Sequence, residues 1–156
     1  MTTVPLDKFD PNKAENLDEI EKQFAVVAVQ HAEIYWRILR KPPQSIRLTK
    51  IDDAIFEAFR EGFPELFADT KQIEVVDEDS MKSPGNKTRW RKWIEQFKDK
   101  VQDYNFGTLL RRDARVEYTE DNTIFVVRMQ FLAFEIARNR MTLNDEAHSK
   151  AKAEAS

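Results

Sequence analysis

The sequence contains no cysteine. That single absence excludes disulfide staples, thiolate nucleophiles and cysteine-ligated zinc, and because secreted domains of this size are usually stapled, the cytoplasm is the expected compartment, with the nucleus also open. Glycine is scarce as well: Gly62, Gly85 and Gly107 stand alone, so neither a phosphate-cradling loop nor a dinucleotide fingerprint can be assembled. Histidine is limited to His31 and His148, at opposite ends of the chain, and His31-Ala32-Glu33 lacks the second histidine that a helical zinc site needs four residues on. His31 therefore reads as a partly buried histidine on an apolar helix face. No window approaches the ~18 consecutive apolar residues of a membrane span, and Met1 to Asp10 has no basic-then-apolar leader pattern. Nucleophile-elbow spacing is missing, and Asp52-Asp53 is no acid pair, since adjacent helical positions point about 100° apart. Neither charge sign dominates. With 25 Lys and Arg against 28 Asp and Glu the net charge is −3, opposite in sign to a nucleic-acid footprint.

What the chain does have is apolar material. Hydrophobic residues make up 41%, including eleven Phe, enough to offset the entropy lost in ordering one core. The expected fold class is mainly α, a compact bundle of about four to five helices with at most a small β element. One helical domain is expected over residues 16–141, flanked by flexible tails at 1–15 and 142–156. From Leu17, apolar side chains recur at Ile20, Phe24, Val27, Ala28, His31, Ile34, Tyr35 and Ile38 with helical period, until Pro42-Pro43 stops the run. Thr49 with Asp52 predicts a capped helix to Phe63, and Pro64 opens a short helical piece. The loop from Ala68 to Asn86 contains one plausible strand, Ile73 to Val76. Trp90, Trp93, Ile94, Phe97, Val101 and Tyr104 mark a third helix, stopped at Asn105 to Gly107. Leu109 to Tyr118 is ambiguous. The last helix, Thr123 to Arg140, is apolar around nearly its whole circumference and belongs in the middle of the fold, although its β-branched start, Ile124 to Val127, reads equally as a strand.

Two charge patterns stand out. Lys87, Arg89, Arg91 and Lys92 interleave with Trp90 and Trp93, the arrangement that pairs phosphate contacts with stacked bases. The competing reading places both indoles on a core-facing stripe, where they could not stack on a base. Arg128, Glu135 and Arg138 punctuate the apolar last helix, and if that face is buried they must pair, because an isolated charge in a dry core costs several kcal/mol.

Five segments carry a resemblance: Val29 to Glu33; Leu48 to Asp53; Asp103 to Arg111, reading DYNFGTLLR; Tyr118 to Phe125, reading YTEDNTIF; and Glu135 to Arg140. In this order and at similar spacing they resemble the small eukaryotic family called polysaccharide biosynthesis domain-containing protein 1, over roughly Leu17 to Arg140. The resemblance implies no sugar chemistry despite the family name. It implies a dedicated cytosolic chaperone, not an enzyme, that binds the newly synthesised GTP-binding domain of translation elongation factor 1 alpha. GTP is then bound by the client, so this chain needs no cofactor, metal or catalytic residue. The ribosome and the nascent polypeptide-associated complex are implied as neighbours, and a monomer without membrane contact is expected. The polar and aromatic stretch Asp103 to Asn122 is the candidate client surface, with Asp103, Tyr104, Asn105, Arg111, Asp113, Tyr118 and Glu120 as candidate partner-binding residues, since loop side chains not needed for packing are free to recognise partners. Ordinary structural roles compete: Asn105 and Gly107 as a helix stop, Thr119 and Asn122 as caps, Tyr118 as packing. The alternative function is an RNA- or ribosome-binding module using Lys87 to Lys92, and a third is an enzyme acting on sugar nucleotides, for which no phosphate-binding loop is visible.

Overall fold

Elements of the chain follow in the order α1 (Leu17–Ile38), α2 (Asp52–Gly62), α3 (Pro64–Ala68), α4 (Lys71–Glu74), α5 (Glu78–Met81), α6 (Pro84–Glu95), β1 (Gly107–Arg111), β2 (Thr123–Val127), α7 (Arg128–Arg140) and α8 (Asp145–Glu154). The computed structural model describes residues 17–155, with side chains from residue 25 onward. The expected tail at 1–15 lies outside the described residues. The fold is mainly helical with one small antiparallel sheet, as the composition and periodicity imply. The helix count exceeds four to five because α3, α4 and α5 are pieces of only four or five residues and because α8 is added at the end.

The apolar last segment divides. Thr123–Val127 pairs with Gly107–Arg111, placing Leu109 opposite Phe125 and Leu110 opposite Ile124. The β-branched run favours the strand, turning Ile124 and Val126 into the core and Phe125 outward. The chain then enters α7 directly, and the Val127 N–H donates to the Gln130 side chain at 3.0 Å, occupying a backbone donor at the helix start. Ten of the thirteen α7 residues are buried, so α7 is the central post. Its Phe134 packs edge-on against Phe59 of α2 at 5.2 Å, while Phe63 stacks on Trp90 of α6 at 4.1 Å.

Several local expectations are met by particular bonds. The helix predicted after Thr49 forms as α2, although its N-cap is Ile51 and carries no side-chain cap. Asp52 instead accepts from the preceding N–H groups of Leu48 and Thr49 at 2.8 and 2.7 Å, pinning the turn that leads in, and Pro64 occupies the first turn of α3. Others are corrected. Ile73–Val76 is not a strand: Lys71–Glu74 forms α4, and only Val75 bridges, to Asp113, with the Val76 N–H donating to the Arg112 carbonyl at 2.9 Å. The third helix starts earlier and ends earlier than its aromatic stripe. It begins at Pro84, and past Glu95 successive turns carry Phe97 and Val101 into the core before the chain reverses at Asp103, whose φ is 57°. The expected flexible tail from 142 contains α8, with Ala147 and Ala151 fully buried and a His148 ring nitrogen 2.8 Å from the Leu39 carbonyl oxygen. An apolar stripe made of alanine carries little hydrophobic signal, but its small size allows close approach. On α1 the buried stripe is Ala28, Ala32 and Tyr35, continued by Leu39 just past the helix end, whereas Val27, Val29 and Ile34 face outward.

Candidate functional site: a groove between the first helix and the hairpin

Charges buried behind the hairpin come first, because they decide what cannot be a contact surface. Glu135 of α7 accepts from four groups: Tyr35 at 2.8 Å, Asn144 at 2.9 Å, Arg138 at 2.9 Å and Arg111 at 3.0 Å. Arg111 also donates to the Ala114 carbonyl at 2.7 Å and to Asn144 at 2.9 Å, and Arg138 to the Ile73 carbonyl at 2.9 Å. Arg111, Glu135 and Arg138 have no exposed surface. Burial alone would raise the Glu135 carboxyl; Arg111 and Arg138, aided by Asn144 and Tyr35, outweigh it and hold the group below its ordinary value. A carboxylate saturated with donors and closed to water has no lone pair to offer a substrate, so this is a structural cluster tying α1, β1, α7 and the start of α8 together. The expected pairing of Glu135 with Arg138 is therefore present. Arg128 stands apart, beside His31, whose pKa is lowered by burial and then by Arg128.

In front of that cluster runs an open groove of about 730 Å³ between α1 and the outer face of the hairpin. Helix α1 contributes Val29, Ala32, Glu33, Trp36 and Arg37 to its wall, with Arg40 in the turn just after it; the hairpin and its loop contribute Leu109, Glu117, Tyr118, Thr119, Glu120, Thr123 and Phe125. Its apolar floor is bordered by four carboxylates, Glu33, Glu117, Glu120 and Glu154, against the two guanidinium groups of Arg37 and Arg40. Phe125 is 50% exposed and lies over the backbone of Gly107, where any Cβ would collide with its ring. Asn122 shapes the loop: its side chain accepts from the Asp113 N–H at 2.8 Å and donates to the carbonyls of Asp113, Val116 and Glu117 at 3.0 to 3.1 Å. Thr119 caps the adjoining turn through the Asn122 N–H.

The candidate partner residues separate into three groups. Tyr118 and Glu120 line this groove. Tyr104 and Asn105 line a second one on the other side of Phe125, and Asp103 is exposed on the reversal between α6 and β1. Arg111 is a correction, because it lies wholly inside the ion cluster and presents nothing to a partner. Asp113 is committed locally, pairing with Arg115 at 3.0 Å while its backbone bridges Val75. The basic stripe also changes meaning. Trp90 and Trp93 are only 4% and 6% exposed, and Arg89 is held by Glu65 at 2.6 Å and lies over the Phe63 ring at 4.2 Å.

Residues 20–149 match the family model described as PBDC1 protein. The chain belongs to this family. PBDC1 abbreviates the family whose segments the sequence resembles, and curated relatives agree. The PBDC1 homologue of Saccharomyces cerevisiae is 54% identical over 88% of this chain and 94% of its own, and that of Schizosaccharomyces pombe 53% identical over the same shares. Human PBDC1 is 45% identical over 83% of this chain but 54% of its own longer length. The solution structure of protein yst0336 from Saccharomyces cerevisiae superposes with a TM-score of 0.80 at 50% identity, covering 92% of this chain and 99% of that one. Three of the five PBDC1-like segments, Val29–Glu33, Asp103–Arg111 and Tyr118–Phe125, contribute to the groove wall. Trp36, Arg37 and Arg40 were not singled out in the sequence. Their signal was there, since Trp36 and Arg37 continue the α1 face begun by Val29 and Glu33 at helical spacing and Arg40 follows at the same spacing in the next turn.

Proposed function

We propose that this chain is a dedicated cytoplasmic chaperone that holds the newly synthesised GTP-binding domain of translation elongation factor 1 alpha in the groove between α1 and the hairpin. The observation that carries the reading is the convergence of three resemblance-bearing segments on one amphiphilic groove, while the remaining two, Leu48–Asp53 and Glu135–Arg140, serve the turn leading into α2 and the buried cluster. An apolar floor with a charged rim suits a client whose core is still partly exposed: it offers contact that the native client no longer needs. The chaperone is not an enzyme and takes no nucleotide. GTP binds the client, and the folding this favours removes the groove's ligand by mass action. Work beside the ribosome, with the nascent polypeptide-associated complex as recruiting partner, belongs to the same reading.

Glu117 and Glu120 are exposed and take part in no ion pair among the described residues, so charge reversal there alters the groove rim without touching the core. The test is translation of the client's GTP-binding domain in a lysate depleted of GTP after synthesis, with the tagged chain as bait. The wild-type chain retains the domain and releases it on GTP addition; Glu117→Lys/Glu120→Lys retains at least about tenfold less at an unchanged melting temperature. Equal retention of unrelated nascent domains, or none of this one, removes the role. Unchanged capture by the variant removes the groove.

A further inference from the structure

A second groove, of about 470 Å³, lies between α6 and β2, with Phe125 as the crest shared by both. Its floor is apolar: Met81, Trp90, Ile94 and Val126. Its rim differs in sign from the first. Lys82, Lys87 and Arg91 face one carboxylate, Glu95. Lys87 and Arg91 are one helical turn apart, both exposed, and neither side chain has a hydrogen-bond or ion-pair partner among the described residues. Neighbouring charges are already matched. Lys82 pairs with Glu78 at 2.7 Å, and Glu95 lies 3.9 Å from Lys98 and 3.4 Å from the Tyr104 hydroxyl. Two free cations thus overhang an apolar trough on a chain whose net charge is −3.

We infer that this groove is a second, separate docking site, for a segment of a partner protein that sets acidic side chains beside apolar ones. Charge complementarity selects the occupant: carboxylates reach Lys87 and Arg91 while leucine- or phenylalanine-like side chains fill the trough. Single-stranded nucleic acid fits poorly. Stacking needs an open ring face, and Trp90 is 4% exposed, packed against Phe63 at 4.1 Å and Trp93 at 5.4 Å. The inference stands apart from the client reading, and the opposite rim charges of the two grooves direct different ligands to each side of Phe125.

The test selects displayed random peptides of about twelve residues, a length that spans such a groove, on the immobilised full chain and in parallel on Lys87→Glu/Arg91→Glu and the milder Lys87→Ala/Arg91→Ala. Enrichment of Asp and Glu next to Leu, Phe or Trp is expected on the wild-type chain. A synthesised winner should bind at least about tenfold more weakly to the charge-reversed variant, tighten at low salt, and shift amide resonances of α6 and β2 but not of residues 117–120. Four outcomes overturn the proposal. These are no acidic enrichment, binding to the charge-reversed variant as tight as to the wild-type chain, shifts confined to other surfaces, or tighter binding of a fluorescein-labelled oligouridine. A fifth is self-association in sedimentation that the same variants abolish, which would make the occupant a second copy of this chain.

Discussion

Glu135 sits where two guanidinium groups and two neutral donors meet without water, and its removal has a defined consequence. Glu135→Gln keeps the size and leaves Arg111 and Arg138 buried without a counter-charge. A loss of about 3 to 5 kcal/mol in unfolding free energy is expected, measurable by urea titration. The pH dependence has a definite sign. Because the folded carboxyl titrates below its ordinary value, the stabilisation it contributes is complete above the unfolded carboxylate pKa of about 4.3 and disappears as pH falls through the folded value. Wild-type stability should therefore drop steeply below about pH 4, and the variant's curve should be flatter there. A variant as stable as wild type at neutral pH would show that the cluster does not hold the fold. The same residue-scale geometry removes Arg111 from the partner surface: a substitution there acts on stability before it acts on recognition.

Among the elements, the seam between α2 and α6 leaves no room for an added atom at Gly62. A Cβ added at Gly62 would meet the Trp93 indole, 2.7 Å from Cδ1 and 3.0 Å from Nε1. That ring cannot swing away cheaply, because it is 6% exposed and its N–H donates to the Ala58 carbonyl at 2.9 Å. Gly62→Ala should raise intrinsic helix propensity yet cost about 1 to 3 kcal/mol through overpacking, with a shift in Trp fluorescence as the seam opens. A stabilised Gly62→Ala protein would contradict the packing. Much at this scale was legible in the chain itself: a helix from Asp52, Pro64 opening α3, and the burial of α7. Illegible were the limits of helix α6 and the nature of Ile73–Val76, since a short apolar run satisfies helix or strand equally until a partner is known. Here the partner is the hairpin loop, reached through the Val75 to Asp113 bridge and the Arg138 side chain.

Taken whole, the molecule closes on itself through its C-terminal helix. Asn144 is fully buried, donates to Glu135 and to Asn139, and accepts from Arg111, so the last helix completes the ion cluster. Removal of residues 144–156 would leave buried donors and acceptors unmatched at about 1 to 3 kcal/mol each. The truncated chain should lose at least about 3 kcal/mol by urea unfolding and melt less cooperatively. An unaltered melt would mean that α8 lies outside the cooperative unit. Such anchoring also holds one edge of the first groove, since Trp36 in its wall donates to Glu154 at 2.8 Å.

By itself the sequence determined the fold class, the central place of α7, the half-buried character of His31 and the kinship carried by five segments, because each rests on spacing between neighbours or on ordered short motifs. It also required Arg128, Glu135 and Arg138 to pair if their face is buried, which holds for Glu135 and Arg138 but not for Arg128. Only the tertiary structure decided that Arg111 from a distant strand completes that pair, that an alanine-striped end is a packed helix, and that Phe125 divides two grooves of opposite rim charge. Those facts depend on which surfaces meet across long sequence separations. Local periodicity records that a face is apolar or that a charge is awkward, but carries no address for the group that covers it.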